Sequence, residues 1–130
     1  EEQVCCCGVI LAELMQGVKS EKELAALDDF PRVFPFISDS PQLWAAAGRL
    51  AFQLRRKGLT IGLSDCYIAI AAASVRAQVA TLDSHFQLLV KPAKIHLYPM
   101  LKVLPPLTPP ILGGVRGGPY EIARQGNICR

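Results

Sequence analysis

Apolar and polar residues are grouped in blocks along this chain, and three apolar blocks each meet a carboxylate at one end. These blocks cover residues 4–12, 66–75 and 79–82. Over residues 41–54, apolar residues instead recur at the three- and four-residue spacing of an amphipathic helix, with Ser40 as N-cap and Pro41 in the first helical position. Strand-like blocks separated by helices predict an α/β domain with a parallel sheet.

The ends of further elements follow from turn and capping residues. The first apolar block predicts a strand that ends at Glu13, where a helix begins. Ser20 and Glu23 predict a capping box for a second helix, which runs to about residue 27. The proline-containing segment 30–36 fits a connector or an edge strand. We also predict that the helix over 41–54 ends at Gly58 and that Ser64 caps the next helix. Parallel strands are predicted over 78–82 and 94–98.

The carboxylates at the block edges are Glu13, Asp65 and Asp83. In an α/β sheet such edges converge. Three carboxylates within about 4 Å would repel one another by roughly 4 kcal/mol per pair at an effective dielectric near 20, and a bound divalent cation removes this cost. Hard oxygen ligands suit Mg²⁺ or Mn²⁺. Taken singly, each acid is also explained as an ordinary helix-capping or first-turn residue.

The three acids lie in segments that look familiar: VILAELMQG at 9–17, LSDCYIAIAA at 63–72 and ATLDSHF at 80–86. In this order they resemble the PIN-domain ribonucleases, specifically the VapC-like toxins of bacterial type II toxin–antitoxin pairs, over about residues 4–102. The resemblance implies a three-layer α/β/α fold with a central parallel sheet. In that family an Asp-bearing strand comes first, but no residue before Glu13 corresponds to this Asp. We therefore expect the first strand and its Asp to be missing.

The resemblance also implies a function and a set of roles. Glu13, Asp65 and Asp83 would hold Mg²⁺ or Mn²⁺, which activates water to attack an RNA phosphodiester. Thr81 and Ser64 stand beside two of these acids and would orient a carboxylate or a water molecule, although Ser64 also fits a simple cap. A cognate antitoxin, a homodimer and a cytoplasmic location are implied as well. The alternative is a non-catalytic PIN-like remnant that binds an antitoxin or dimerises.

Charge gives little support for nucleic-acid binding by the chain as a whole. The formal net charge is +3, and the segment from residue 105 onward contributes +2 of it, through three arginines against one glutamate. Any RNA contact must therefore come from a local cluster. Arg55, Arg56 and Lys57 form the densest one, and they fit equally well as solvated cations at a helix C-terminus.

Composition predicts the domain boundaries, and it gives no sign of a membrane-spanning helix or of a cysteine metal site. Residues 1–104 predict one domain, and the Pro- and Gly-rich segment 105–130 predicts a flexible tail. No segment reaches the roughly 18 uninterrupted apolar residues of a membrane-spanning helix. The five cysteines, three of them consecutive at 5–7, show no metal-ligand spacing, so we interpret them as buried thiols.

Overall fold

A mixed five-stranded sheet and the helices around it form the part of the chain that the structure describes. The computed structural model describes residues 3–99 and the backbone of two short strands at 123–124 and 128–129. The strands are β1 Val4–Cys5, β2 Gln78–Val79, β3 His96–Leu97, β4 Ala123–Arg124 and β5 Ile128–Cys129. The helices are α1 Gly8–Gly17, α2 Glu21–Asp28, α3 Phe30–Val33, α4 Pro41–Arg56, α5 Leu63–Ser74 and a 3₁₀ helix Ser84–Leu89.

The strand order across the sheet is β3-β2-β5-β1-β4. The pairings β3–β2, β2–β5 and β5–β1 are parallel, and the pairing of β1 with β4 is antiparallel. Strand β5 lies between β1 and β2, where Cys129 is in register with Cys5 on one side and Val79 on the other. The predicted α/β fold is thus confirmed, and the described sheet is continuous from β1 to β2.

The C-terminal segment is only partly described. Strands β4 and β5 belong to it, and both pair with β1. The rest of the segment 105–130, on which the prediction of a flexible tail falls, lies outside the described residues. The division into a domain over 1–104 and a tail stays a prediction.

Helix α5 is the centre of the core. Six of its twelve residues are buried: Cys66, Tyr67, Ile68, Ala69, Ala71 and Ala72. A helix that is apolar on most of its surface has to be enclosed by other elements. Helix α4 packs against it with one apolar stripe of Ala47, Leu50 and Leu54. Asp65 lies in the first turn of α5, directly before the buried Cys66 that anchors this end of the helix in the core.

The first apolar block folds differently from its prediction. The strand covers only Val4–Cys5, and α1 begins at Gly8 after an extended Cys7. Glu13 is therefore the sixth residue of a ten-residue helix, and the prediction that it ends a strand and starts a helix is wrong. A short apolar run fits a buried strand and a buried helix equally well, so its periodicity does not separate the two.

Two other local predictions are also corrected. The segment predicted as a connector or edge strand begins with the short helix α3, in which Pro31 near the start lacks only a donor that the helix does not use, whereas its end does pair with the first strand region, where Phe36 forms a parallel bridge with Cys6. Ser64 does not cap α5: the N-cap is Gly62, and among the described residues no side chain caps this helix. The position of Asp65 in the first turn of α5 is confirmed.

The predicted ends of α2 and α4 are confirmed by their hydrogen bonds. Ser20 Oγ accepts from the Glu23 amide at 3.1 Å, while Glu23 Oε2 accepts from the Lys19 amide at 2.9 Å instead of the Ser20 amide. Ser40 Oγ accepts from the Leu43 amide at 3.1 Å. Gly58, just past α4, has φ +83°, a left-handed conformation that favours glycine. Within the described part of the chain, no helix is long and apolar enough to cross a membrane.

Candidate active site

Two of the three predicted acids come together where α1 meets the start of α5. Glu13 is half-buried on α1, and Asp65 is half-buried in the first turn of α5. Burial is the main cause that raises the pKa of Glu13, and the negative charge of Asp65 raises it further, while a hydrogen bond from the Ser64 side chain lowers it. Two carboxylates that interact in this way form a site of concentrated negative potential.

One oxygen of this pair has no partner. Glu13 Oε2 is buried and accepts no hydrogen bond from the residues that the structure describes. A buried acceptor left unsatisfied costs about 1–3 kcal/mol, and more when the group is charged. A proton or a cation beside Oε2 would remove this cost, and burial followed by the charge of Asp65 raises the pKa of Glu13, so the charged form is disfavoured at this position. The local structure thus favours an additional positive ligand at this position.

The third acid, Asp83, has a different environment. Its Oδ1 accepts from the His85 amide at 2.9 Å and lies 3.1 Å from His85 Nδ1, so it caps the 3₁₀ helix. Its own amide donates to Thr81 Oγ1 at 3.0 Å. Thr81 therefore holds the backbone at Asp83. Among the described residues, the charge that raises the pKa of Glu13 is that of Asp65 and not that of Asp83.

The acidic pair fits a divalent cation, although it does not form a full protein cage. No group of three His, Cys, Asp or Glu side chains within the described residues is arranged to hold a metal ion. Mg²⁺ is, however, commonly bound through one or two carboxylates while it keeps several water molecules. Glu13 and Asp65 provide two such carboxylates, one of them with a buried oxygen that lacks a partner. Ser64 would hold the Glu13 carboxylate in place.

Comparison with known proteins gives the scaffold a family. The model of the PIN domain family matches residues 1–91. This chain belongs to the PIN domain family. PIN domains are generally nucleases and typically use divalent metals, which agrees with an acidic pair between two helices. No curated protein and no solved structure matches the chain.

The cysteines of this PIN domain do not add ligands to the pair. Cys5, Cys6, Cys7 and Cys66 are buried thiols that form no disulfide. Burial raises the pKa of Cys7, and burial followed by the charge of Asp65 raises the pKa of Cys66. A thiol with a raised pKa stays protonated at neutral pH and is a poor metal ligand. The interpretation of these four cysteines as buried thiols is confirmed.

The predicted basic cluster is exposed at the end of α4. Arg55, Arg56 and Lys57 are all exposed, and the Arg56 guanidinium lies 5.9 Å from the centre of the exposed Phe52 ring. Cations at a helix C-terminus also complement the helix dipole. Both roles that the sequence allows, phosphate contact and solvated helix end, are therefore open to these side chains.

Sequence reasoning missed a second feature on the helices that carry the acidic pair. A cavity of about 340 Å³ is lined by α1, α4, α5 and Asp39. Trp44, which lies in the amphipathic helix predicted over residues 41–54, contributes to its wall. One signal was available, because this residue is the single tryptophan of the chain. Its exposure and its contact with Tyr67 depend on the packing of α4 against α5.

The raised pKa of Glu13 predicts how stability depends on pH without metal. Because the folded protein binds this proton more tightly than the unfolded chain, the stabilising effect is present below the unfolded pKa of about 4.3 and is lost as pH rises through the raised value. We expect Glu13→Gln to raise the free energy of unfolding in EDTA at neutral pH, with a smaller gain in acid. Urea unfolding over a pH series measures this difference.

A matched control for this experiment is Glu21→Gln, which changes an exposed acid in the first turn of α2. Loss of that acid removes a favourable interaction with the helix dipole, so no gain in stability is expected. If Glu13→Gln were less stable than the unmodified protein at neutral pH in EDTA, the charged Glu13 carboxylate would not be unfavourable in the folded protein as we describe.

Proposed function

We propose that this PIN domain is a Mg²⁺- or Mn²⁺-dependent endoribonuclease whose cation is held by Glu13 and Asp65. The observation that supports the proposal most strongly is the buried Glu13 Oε2, which lacks a hydrogen-bond partner among the described residues and lies beside a second carboxylate. On a scaffold whose relatives are generally nucleases, such a pair is best explained as a metal site. When bound, the cation would supply the activation of water and the charge stabilisation that phosphodiester hydrolysis needs.

The residues around the pair have separate tasks in this proposal. The side chain of Ser64 holds the Glu13 carboxylate through a hydrogen bond. Asp65 sits in the first turn of α5, where the positive end of the helix dipole stabilises a negative charge. Asp83 remains a predicted third metal ligand, but its cap on the 3₁₀ helix is a sufficient structural reason for it. Thr81 orients the backbone of Asp83 through its hydroxyl.

The proposal is tested by incubating the protein with single-stranded RNA and Mn²⁺ or Mg²⁺, with EDTA as the control. We expect cleavage that EDTA abolishes, and no comparable cleavage of DNA of the same sequence. Cleavage that persists in EDTA would rule out the metal-dependent mechanism. If a folded protein left RNA intact with either metal, the alternative of a non-catalytic interaction module would be favoured.

The basic cluster at the end of α4 is proposed to contact the RNA backbone. Replacing both Arg55 and Arg56 by Ala should weaken RNA binding for all sequences alike. The slope of log K against log salt concentration should fall by about 0.7 for each phosphate of a single strand that the protein no longer neutralises. A salt titration by filter binding or fluorescence anisotropy, in EDTA to prevent cleavage, measures this slope.

The control for this pair is Arg32→Ala, which removes an exposed arginine on α3 whose Nη1 lies 3.8 Å from Asp29 Oδ1. We expect RNA affinity and salt slope to stay unchanged in this variant. An unchanged slope in the Arg55, Arg56 double variant would show that these arginines do not contact RNA phosphates and serve only as cations at the end of α4.

We further propose that the nuclease acts as a VapC-like toxin in the cytoplasm, with a cognate antitoxin and a homodimeric state. The support is the likeness of the three acidic segments to such toxins, which is more specific than the family match. Expression with and without metal-site substitutions tests the toxin part: growth should be inhibited by the unmodified chain and not by Asp65→Asn. Equal growth in both cultures would contradict it.

A further inference from the structure

A cavity lined by the two helices that carry the acidic pair has the features of a site for a flat ring. It measures about 340 Å³, and its wall includes Ala12 of α1 and Tyr67 of α5. Its lining residues are Gly8, Val9, Ala12, Asp39, Trp44 and Tyr67. We call it the Trp44 pocket.

Trp44 provides an aromatic wall of the pocket, and Tyr67 supports one face of its ring. Its ring is stacked on Tyr67 with a centroid distance of 3.9 Å and an interplanar angle of 25°. Tyr67 is only 1% exposed, whereas Trp44 is 38% exposed. A tryptophan supported by a buried ring and open on part of its surface is suited to stacking with a planar ligand, and bases stack on such residues in single-stranded RNA recognition.

Asp39 provides the polar end of the pocket. Its Oδ1 accepts a hydrogen bond of 2.7 Å from the Tyr67 hydroxyl. An ionised carboxylate has about four acceptor positions, and Asp39 is exposed, so Tyr67 leaves it with capacity for further donors.

We propose that the Trp44 pocket receives one guanine base of the RNA substrate, stacked on Trp44 and hydrogen-bonded to Asp39 through N1–H and the N2 amino group. This inference rests on the proposed ribonuclease function and adds a base preference to it. A carboxylate only accepts hydrogen bonds, and among the four bases guanine alone presents two neighbouring donors on its Watson–Crick edge. Uracil presents one donor between two acceptors, which an anionic carboxylate would repel.

The pocket combines an aromatic wall with a carboxylate that only accepts hydrogen bonds. This combination favours guanine over an aliphatic side chain of a protein partner. An aliphatic group would fill the cavity but would leave the exposed acceptor positions of Asp39 to water. The described residues that line the pocket include no basic side chain, so a phosphate has no charge to attract it there. A neutral ring with two donors can stack on Trp44 and donate to Asp39.

The single tryptophan of the chain allows a direct test, because its fluorescence reports on this pocket alone. The protein is titrated with GMP, IMP, AMP, CMP and UMP in EDTA, with correction for nucleotide absorbance. We expect saturable quenching by GMP at the lowest concentration and about tenfold weaker binding of IMP, which lacks the N2 amino group. Equal quenching by all five nucleotides, or none by any, would overturn the proposal.

Two variants separate recognition from folding. Asp39→Asn replaces one acceptor oxygen by a donor amide and should lower the affinity for GMP about tenfold while the affinity for AMP changes little. Tyr67→Phe removes the hydrogen bond to Asp39 but keeps the carboxylate, so it should retain the preference for GMP over AMP. If Asp39→Asn retained that preference, the carboxylate would not read the base. Should this variant fail to fold, the comparison of GMP with IMP on the unmodified protein decides alone.

This test is independent of the cleavage assay. Asp65→Asn should bind GMP as the unmodified protein does, because Asp65 does not line the Trp44 pocket. GMP binding without RNA cleavage would support guanine recognition by the Trp44 pocket and reject the nuclease proposal. Cleavage without GMP selectivity, including equal cleavage of RNA in which inosine replaces guanosine, would reject the pocket proposal only.

Discussion

Asp65→Asn is expected to reduce metal-dependent RNA cleavage by about a thousandfold or more. The substitution keeps the size of the side chain and removes one of two carboxylates that would hold the cation. Metal ions contribute several kcal/mol to the stabilisation of charge in such reactions, and each 1.4 kcal/mol corresponds to about a factor of ten in rate. Initial rates on a fluorescent single-stranded RNA, at saturating Mn²⁺, measure the loss.

Folding and metal binding have to be measured on the same variant. Because a neutral amide at position 65 would no longer repel the Glu13 carboxylate, the pKa of Glu13 should fall toward its ordinary value and the fold should be retained. The unmodified protein should gain thermal stability on addition of Mn²⁺, since a ligand that binds only the folded state stabilises it, whereas Asp65→Asn should gain little. A variant that unfolds in EDTA would make the cleavage result uninformative about metal binding, and Glu13→Gln would then take its place.

Two control substitutions define the limits of the site. Asp29→Asn changes an exposed acid next to α3 and should leave cleavage and the Mn²⁺-induced stabilisation unchanged. Asp83→Asn separates the two roles that were predicted for Asp83. Loss of cleavage together with an unchanged melting temperature would assign it to the metal site, while a lower melting temperature with near-normal cleavage would assign it to the helix cap.

Leu89→Ala is expected to cost about 2–5 kcal/mol of folding stability, a large part of the total for a domain of this size. Leu89 lies in the 3₁₀ helix and is completely buried, and this helix packs against α5. Truncation leaves a cavity under the helix that carries Asp65. Urea unfolding monitored by circular dichroism gives the change in the free energy of unfolding.

The chain offers a matched control for this substitution. Leu88 is the preceding residue of the same helix and has the same side chain, but it is 40% exposed. We expect Leu88→Ala to change stability by less than about 1 kcal/mol, because little apolar area returns to water. Equal costs for the two substitutions would show that the 3₁₀ helix does not contact the core through Leu89.

Local signals in the sequence predicted the ends of several elements well. Ser40 and Pro41 at the start of α4 and Gly58 just past its end are residues whose backbone and side-chain chemistry favours those positions in any fold. The three acidic segments were likewise specific enough to indicate the PIN family from residue order alone. Asp65 was placed correctly in the first turn of its helix for the same local reason.

The first apolar block shows why other predictions failed. Its residues are apolar without a clear period, so the choice between a strand and a buried helix depended on what surrounds them. Helix α1 packs against α5, which encloses residues such as Ile10. This packing turned Glu13 from the end of a strand into the middle of a helix, and it brought the Glu13 carboxylate to Asp65 and Ser64.

By itself, the sequence determined the family, the α/β class and the acids available for chemistry, because these depend on residue types and short-range order. Only the tertiary structure decided that Glu13 pairs with Asp65 while Asp83 caps a helix, and that β5 fills the sheet between β1 and β2. It also decided that Trp44 and Asp39 share a cavity. These outcomes depend on contacts between residues far apart in the chain, and such contacts are set by the packing of whole helices and strands, which no local pattern encodes.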